Sequence, residues 1–212
     1  MFSCFRFLVN LPLLDRPLTV GFFWGLVTGD WATSLGVCLF FELFWLDIFP
    51  AGTIIPPNSM APALASLAVM QVLHVTQPSL AAVVTLLALP LGRAFARLER
   101  YHRQYENEAF GKLIHWAKRS GGAEGPGALT RRSIMVMFPA SAVAFALASS
   151  ALMASAHLIL PLLAPHLTSI PLKWPHLWVV ASIGAVLSLR FRPAYVLLGC
   201  GVALATLSRL LA

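Results

Sequence analysis

From Leu18 to Ile55 the chain is almost entirely apolar, yet the stretch carries Asp30, Glu42 and Asp47 and no Lys or Arg. A carboxylate at membrane depth costs about 2.5–3.5 kcal/mol on insertion scales, so one that is kept there faces a bundle interior or a polar cavity. Glu42 sits deepest, inside Leu39-Phe40-Phe41-Glu42-Leu43-Phe44-Trp45. Asp30 and Asp47 fit a second reading equally well, as residues at helix ends in the interface, where a carboxylate is cheap. On the first reading, the three acids mark a site for a polar ligand.

Of the 212 residues 58% are hydrophobic and only 11% charged, and the mean hydropathy of +0.80 is far above that of a soluble domain. The chain is therefore expected to be an all-α, polytopic membrane protein. The candidate segments are Leu18–Asp30, Trp31–Ile55, Met60–Val75, Ser79–Gly92, Ile134–Leu163, His176–Leu189 and Ala194–Leu211. Crossing the hydrocarbon takes about 20 apolar residues, and Leu18–Asp30, Met60–Val75 and Ser79–Gly92 fall short of that. They are expected to be broken or re-entrant helices, which survive at membrane depth only when buried in protein or lining a cavity.

Charge is concentrated in one connection. Arg93–Arg132 holds nine cations and four acids, a balance of +5 within a net charge of +7, so the positive-inside rule assigns this segment to the cytoplasm. Phe95, Leu98, Tyr101, Tyr105, Leu113 and Trp116 recur near helical spacing there. Such a helix can lie in the interface plane, dock a cytoplasmic partner, or serve as a plain solvated connector. Gly121–Gly127, dominated by glycine, follows as a hinge. The expected organisation is an N-terminal membrane unit over 1–92, a basic amphipathic connector with its hinge over 93–133, and a C-terminal membrane unit over 134–212.

Gly21, Gly25 and Gly29, spaced four apart, form a bare helical face that another helix can approach closely. At Pro56-Pro57-Asn58-Ser59 two consecutive prolines stop a helix. Asn58 and Ser59 then stand at the break, beside the amides of a helix starting near Met60. Read as a plain loop, the same residues need no function. The chain has no Walker loop, GxGxxG, HExxH or GxSxG, and Cys4, Cys38 and Cys200 show no metal spacing. No cofactor, metal site or nucleic-acid surface is expected. The first fourteen residues have a weakly leader-like pattern, but Asn10 and Pro12 interrupt it and they are read as mature chain.

Leu14-Asp15-Arg16-Pro17-Leu18, Gly25 to Asp30, Thr33, Gly36, Phe41-Glu42-Leu43, Gly52 and Pro56-Pro57-Asn58 follow one another in an order and spacing that is similar to a known family. It is membrane component IIC of the mannose/fructose/sorbose family of the bacterial phosphoenolpyruvate-dependent sugar phosphotransferase system (PTS). Leu89-Pro90-Leu91-Gly92-Arg93 and the basic stretch after it also resemble that family. The resemblance implies a multi-pass permease subunit in the bacterial plasma (inner) membrane, paired with a membrane subunit IID. It would carry a mannose-type hexose that a cytoplasmic IIB protein, charged through IIA, phosphorylates. No phosphoryl-carrying residue is implied in this chain. The implied sugar contacts are Glu42 and Asn58, with Pro57 shaping the break, and Asp30 joins them as the second acid of the apolar run. Asn58 stands where the family commonly has Asp, which exchanges an acceptor for a group that both donates and accepts. The alternative is a membrane scaffold that transports nothing, whose acids pair only with a partner's cations.

Overall fold

The computed structural model describes residues 16–46, 56–120, 126–188 and 193–201, all of whose regular structure is helical. Asp47, Gly52, Cys4 with the leader-like N-terminal residues, positions 121–125 of the glycine-rich run and everything beyond 201 lie outside the described residues. In order, the helices are α1 (Pro17–Thr28), α2 (Trp31–Phe44), α3 (Met60–Val72), α4 (Pro78–Ser120), α5 (Pro126–Leu167) and α6 (Trp174–Ser188), followed by a helical turn region α7 over 193–201. An apolar chain in lipid has no water to satisfy its amides, and helices meet that demand within a single segment.

Prolines mark helix beginnings. Pro17, Pro78 and Pro126 open α1, α4 and α5. Pro62 and Pro175 stand in the first turns of α3 and α6, where the missing N–H has no intrahelical partner to lose. At 12, 14 and 13 residues, α1, α2 and α3 are each only ~18–21 Å long, shorter than the ~30 Å hydrocarbon layer. Two of the expected half-spans are thus present, and α2 is a third, since it ends at Phe44 instead of continuing towards Ile55.

Ser79–Gly92 differs from its expectation. It is the first third of α4, a 43-residue helix that runs through Pro90 and carries the basic stretch as its own continuation. The amphipathic connector is therefore an extension of a membrane helix and not a separate one lying flat. Pro90 removes one hydrogen bond, but a single missing donor does not end a helix held by its neighbours. Two stretches, Pro78–Glu108 and Met135–Leu167, are long and apolar enough to cross a membrane.

The chain alternates direction through the bundle. α1 and α2 form an antiparallel hairpin, α3 returns beside them, and α4 and α5 pack against α3. α6 joins α2 from the C-terminal part of the chain: Trp174 presses on Gly36, the Trp178 indole N–H donates to the Gly36 carbonyl at 3.1 Å, and Gly184 meets Phe44. The two run parallel and bury one core, built from Val37, Cys38 and Phe41 of α2, Leu67 and Met70 of α3, Val84 of α4 and Ala181 of α6. Small residues at these contacts let the helix axes come close, which is where packing energy between membrane helices is found.

Candidate functional site

The α1–α2 hairpin positions both acids that the sequence singles out. At its closed end Gly29 adopts φ 77°, a left-handed conformation that closes α1 with a bond from its N–H to the Gly25 carbonyl. Along its length a Cβ on Gly25 would meet the Trp31 ring at 2.8 Å, and one on Gly21 would meet the Ser34 carbonyl and Cys38 Cβ, both at 2.8 Å. Gly21 and Gly25 are thus covered by this chain's own α2, whereas a Cβ on Gly29 would meet no described neighbour, and that residue serves the turn instead of the close-packed face. The expected role of the face as a surface for another helix holds at those two positions within the subunit, and the face left outward on α1 is that of Phe22, Phe23, Leu26 and Val27.

At the open end Arg16 Nη1 donates to Glu42 Oε1 at 2.9 Å. This corrects the expectation that the acids of the apolar run lack a cation. The partner lies just outside that run, and the hairpin folds it back across 26 residues. Glu42 is the less exposed partner, its side chain 12% accessible against 51% for Arg16. Its other oxygen, Oε2, is buried and makes no hydrogen bond to any described residue. A local cation is therefore present at Glu42, contrary to expectation, because Arg16 is consecutive with Pro17, the first residue of α1.

The break before α3 reaches the same end of the bundle. Asn58 Oδ1 accepts from the N–H groups of Met60 and Ala61, both at 3.1 Å, and so caps α3. The Asn58 N–H donates to the Gly92 carbonyl at 3.0 Å. Gly92 is bare because Trp45 lies against it: a Cβ there would meet the indole at 2.7 Å. Trp45 also stacks on Phe41 at 5.6 Å, so the Glu42 end of α2, the Asn58 break and the middle of α4 form one corner. Pro57, half-buried between buried Pro56 and Asn58, shapes the entry to it. Asn58 keeps its two amide hydrogens free of any described partner.

Asp30 is elsewhere. It caps α2, its carboxylate accepting from the Thr33 N–H at 3.0 Å, and twelve residues of helix put it ~18 Å from Glu42. The helix-end reading left open by the sequence is the one seen here. Asp30 nevertheless borders a cavity of about 220 Å³ lined also by Trp24, Thr28, Gln71, His74 and Thr76. The four candidate residues thus form two stations, Glu42, Asn58 and Pro57 at one end of the hairpin and Asp30 at the other. Sequence reasoning missed Arg16, Trp45 and Gly92 as members of the first. Arg16 was legible in principle, because pairing the Gly21 and Gly25 face with the helix beyond Gly29 brings residue 16 opposite residue 42. Among the described residues, no three His, Cys, Asp or Glu side chains come together as a metal site.

The Arg16–Glu42 pair and the capped Asn58 break thus lie at one end of the bundle, and the family comparison speaks to the chain as a whole. Residues 1–170, covering α1 to α5, match the model of the PTS system sorbose-specific IIC component. The chain belongs to that family. This IIC component is a membrane protein and a sugar permease component of a PTS, working on a sugar together with other PTS proteins. Among curated proteins and solved structures, nothing matches it. Helix α6 lies beyond the matched residues, yet it packs on Gly36 of the matched part.

Proposed function

We propose that this IIC subunit binds a mannose-type hexose at the Glu42–Asn58 corner and passes it to a cytoplasmic IIB protein, charged by IIA, for phosphorylation, with a IID subunit as its membrane partner. The observation that carries the reading is the buried Oε2 of Glu42, unbonded among the described residues. Arg16 fixes the carboxylate through the other oxygen, so Oε2 is a preoriented acceptor for a sugar hydroxyl, and leaving it empty costs on the order of 1–3 kcal/mol. On this reading the Asn58 amide, at the break that meets Gly92 beside the Trp45 indole, supplies donors to the same sugar. The corner lies level with Gly92, where the basic stretch beginning at Arg93 assigns the cytoplasmic side. A sugar held there is within reach of a cytoplasmic phosphoryl donor. The outward apolar faces of α1 and of α5, where Met135, Val143, Leu147 and Leu158 are exposed, are available to IID as well as to lipid. A multi-pass place in the bacterial plasma (inner) membrane is what the family implies, and the proposed 1–92, 93–133 and 134–212 parts are joined by α4 and α5, which run unbroken across both boundaries.

Equilibrium binding of labelled mannose and sorbose to the purified IIC–IID complex tests this. Wild type should bind one of them, and Glu42→Gln, inserted and assembled normally, should not. Equal binding by that variant would remove the corner as the sugar site.

A further inference from the structure

Resting on the permease reading, we propose that the cavity at the closed end of the hairpin is a second, outer sugar-binding station, which captures the hexose before it reaches the Glu42–Asn58 corner. The sidedness comes from α4 used as a ruler. If the residues from Arg93 onward are cytoplasmic, Pro78 lies ~21 Å outward from Gly92 along the same helix. Trp31, Pro78 and Trp174 border one groove, so α2 and α6 begin and α3 ends at that outer level. The cavity between the Gly29–Asp30 turn and the end of α3 therefore opens on the side from which the substrate arrives.

Its lining has the chemistry of polyol recognition. Half-buried Trp24 lines the cavity together with Asp30 and the exposed side chains of Gln71, His74 and Thr76, which carry planar or hydroxyl groups. Asp30 spends one carboxylate oxygen on Thr33, and the Gln71, His74 and Thr76 side chains make no hydrogen bond to any described residue. Acceptors and donors in one small cavity with one aromatic residue suit a neutral, polyhydroxylated ligand. His74 contributes a second sign. It ends α3 with φ 51°, a left-handed position usually given to Gly or Asn. A helix end needs no imidazole there, and this one borders the cavity.

The full chain, with its partner, in right-side-out vesicles tests the proposal. With Cys4 and Cys200 replaced by Ser, a Thr76→Cys variant should react with a membrane-impermeant maleimide added outside. Mannose or sorbose should slow that reaction severalfold where betaine at equal osmolarity does not, and the protection should persist in a Glu42→Gln background. Vesicles that take up either sugar but whose Thr76→Cys label is indifferent to both would overturn the outer station and leave the permease reading standing. Wild-type vesicles that take up neither sugar, together with a Thr76→Cys label indifferent to both, would overturn the permease reading, and the station with it. His74→Gly keeps the left-handed backbone and removes the ring. It should raise KM for external sugar about five- to tenfold, the loss of one hydrogen bond, with maximal uptake unchanged. An unchanged KM contradicts the proposal.

Discussion

Arg16 and Glu42, 26 residues apart, meet at 2.9 Å and join the open end of the α1–α2 hairpin, with one carboxylate oxygen paired and the other buried without a partner among the described residues. The two residues are not equivalent. Arg16 is half exposed, and its charge is readily hydrated when the pair is broken, whereas Glu42 left alone is a mostly buried anion. Arg16→Gln is therefore expected to destabilise the subunit more than Glu42→Gln, by about 1–3 kcal/mol, measured as thermal unfolding in detergent. The double variant should be no worse than Arg16→Gln alone, because the stranded charge is gone. The opposite ranking would show that the pair is not coupled as described.

Gly36 carries the contact between α2 and α6. Its carbonyl accepts from Trp178, and a Cβ on it would clash with the Trp174 ring. Overpacking of this kind costs about 1–3 kcal/mol. Gly36→Ala should lower the melting temperature of the purified complex, and Trp174→Leu in the same chain should restore part of the loss. Gly36→Ala with wild-type stability would mean that α6 does not pack on α2.

Asn58 separates capping from sugar contact. Asp in its place keeps an acceptor for the Met60 and Ala61 amides, so Asn58→Asp should retain stability, whereas Asn58→Ala should lose about 1 kcal/mol with the cap. If the Asn58 amide donates to substrate, Asn58→Asp will also change the preference between mannose and sorbose in competition binding. An unaltered preference would leave Asn58 as a cap only.

The orientation rests on the +5 balance of Arg93–Arg132. A cysteine at Gly122, in an otherwise Cys-depleted chain, should be labelled by an impermeant thiol reagent only after the cytoplasmic face is opened. Labelling in intact cells would reverse the orientation and move the Glu42 corner to the outer side.

Much of the architecture was legible because its signals are local. Hydrophobic length gave an all-helical membrane chain, and the boundary drawn between Asp30 and Trp31 is where α1 gives way to α2. The glycine spacing told of a close helix contact but not which helix makes it, since a bare face says nothing about its occupant. Here the occupant is the next helix in the chain, through Ser34, Cys38 and Trp31. Pro90 shows the converse limit. Ser79–Gly92 was expected to be a short, broken segment, but a proline's effect is set by the packing around it, and α4 runs on through Pro90 to Ser120. Of the site, Glu42 and Asn58 were legible as the odd polar residues of apolar surroundings. Arg16 was missed because counting charge within a window ignores the cation just outside it, although the hairpin pairing that returns it could be read from the glycine spacing. Asp30 has the same sequence signal as Glu42 and a different position, which only the hairpin's length decides.

The central claim is that sugar crosses the membrane by way of the Glu42 carboxylate. It is tested most directly by phosphoenolpyruvate-dependent formation of labelled sugar phosphate in vesicles carrying this chain, its IID partner and the soluble PTS proteins. Wild type should form product from mannose or sorbose. Arg16→Gln should retain a reduced rate once assembled, and Glu42→Gln should form none despite equal amounts of assembled complex. Product formed by Glu42→Gln at the wild-type rate would contradict the account.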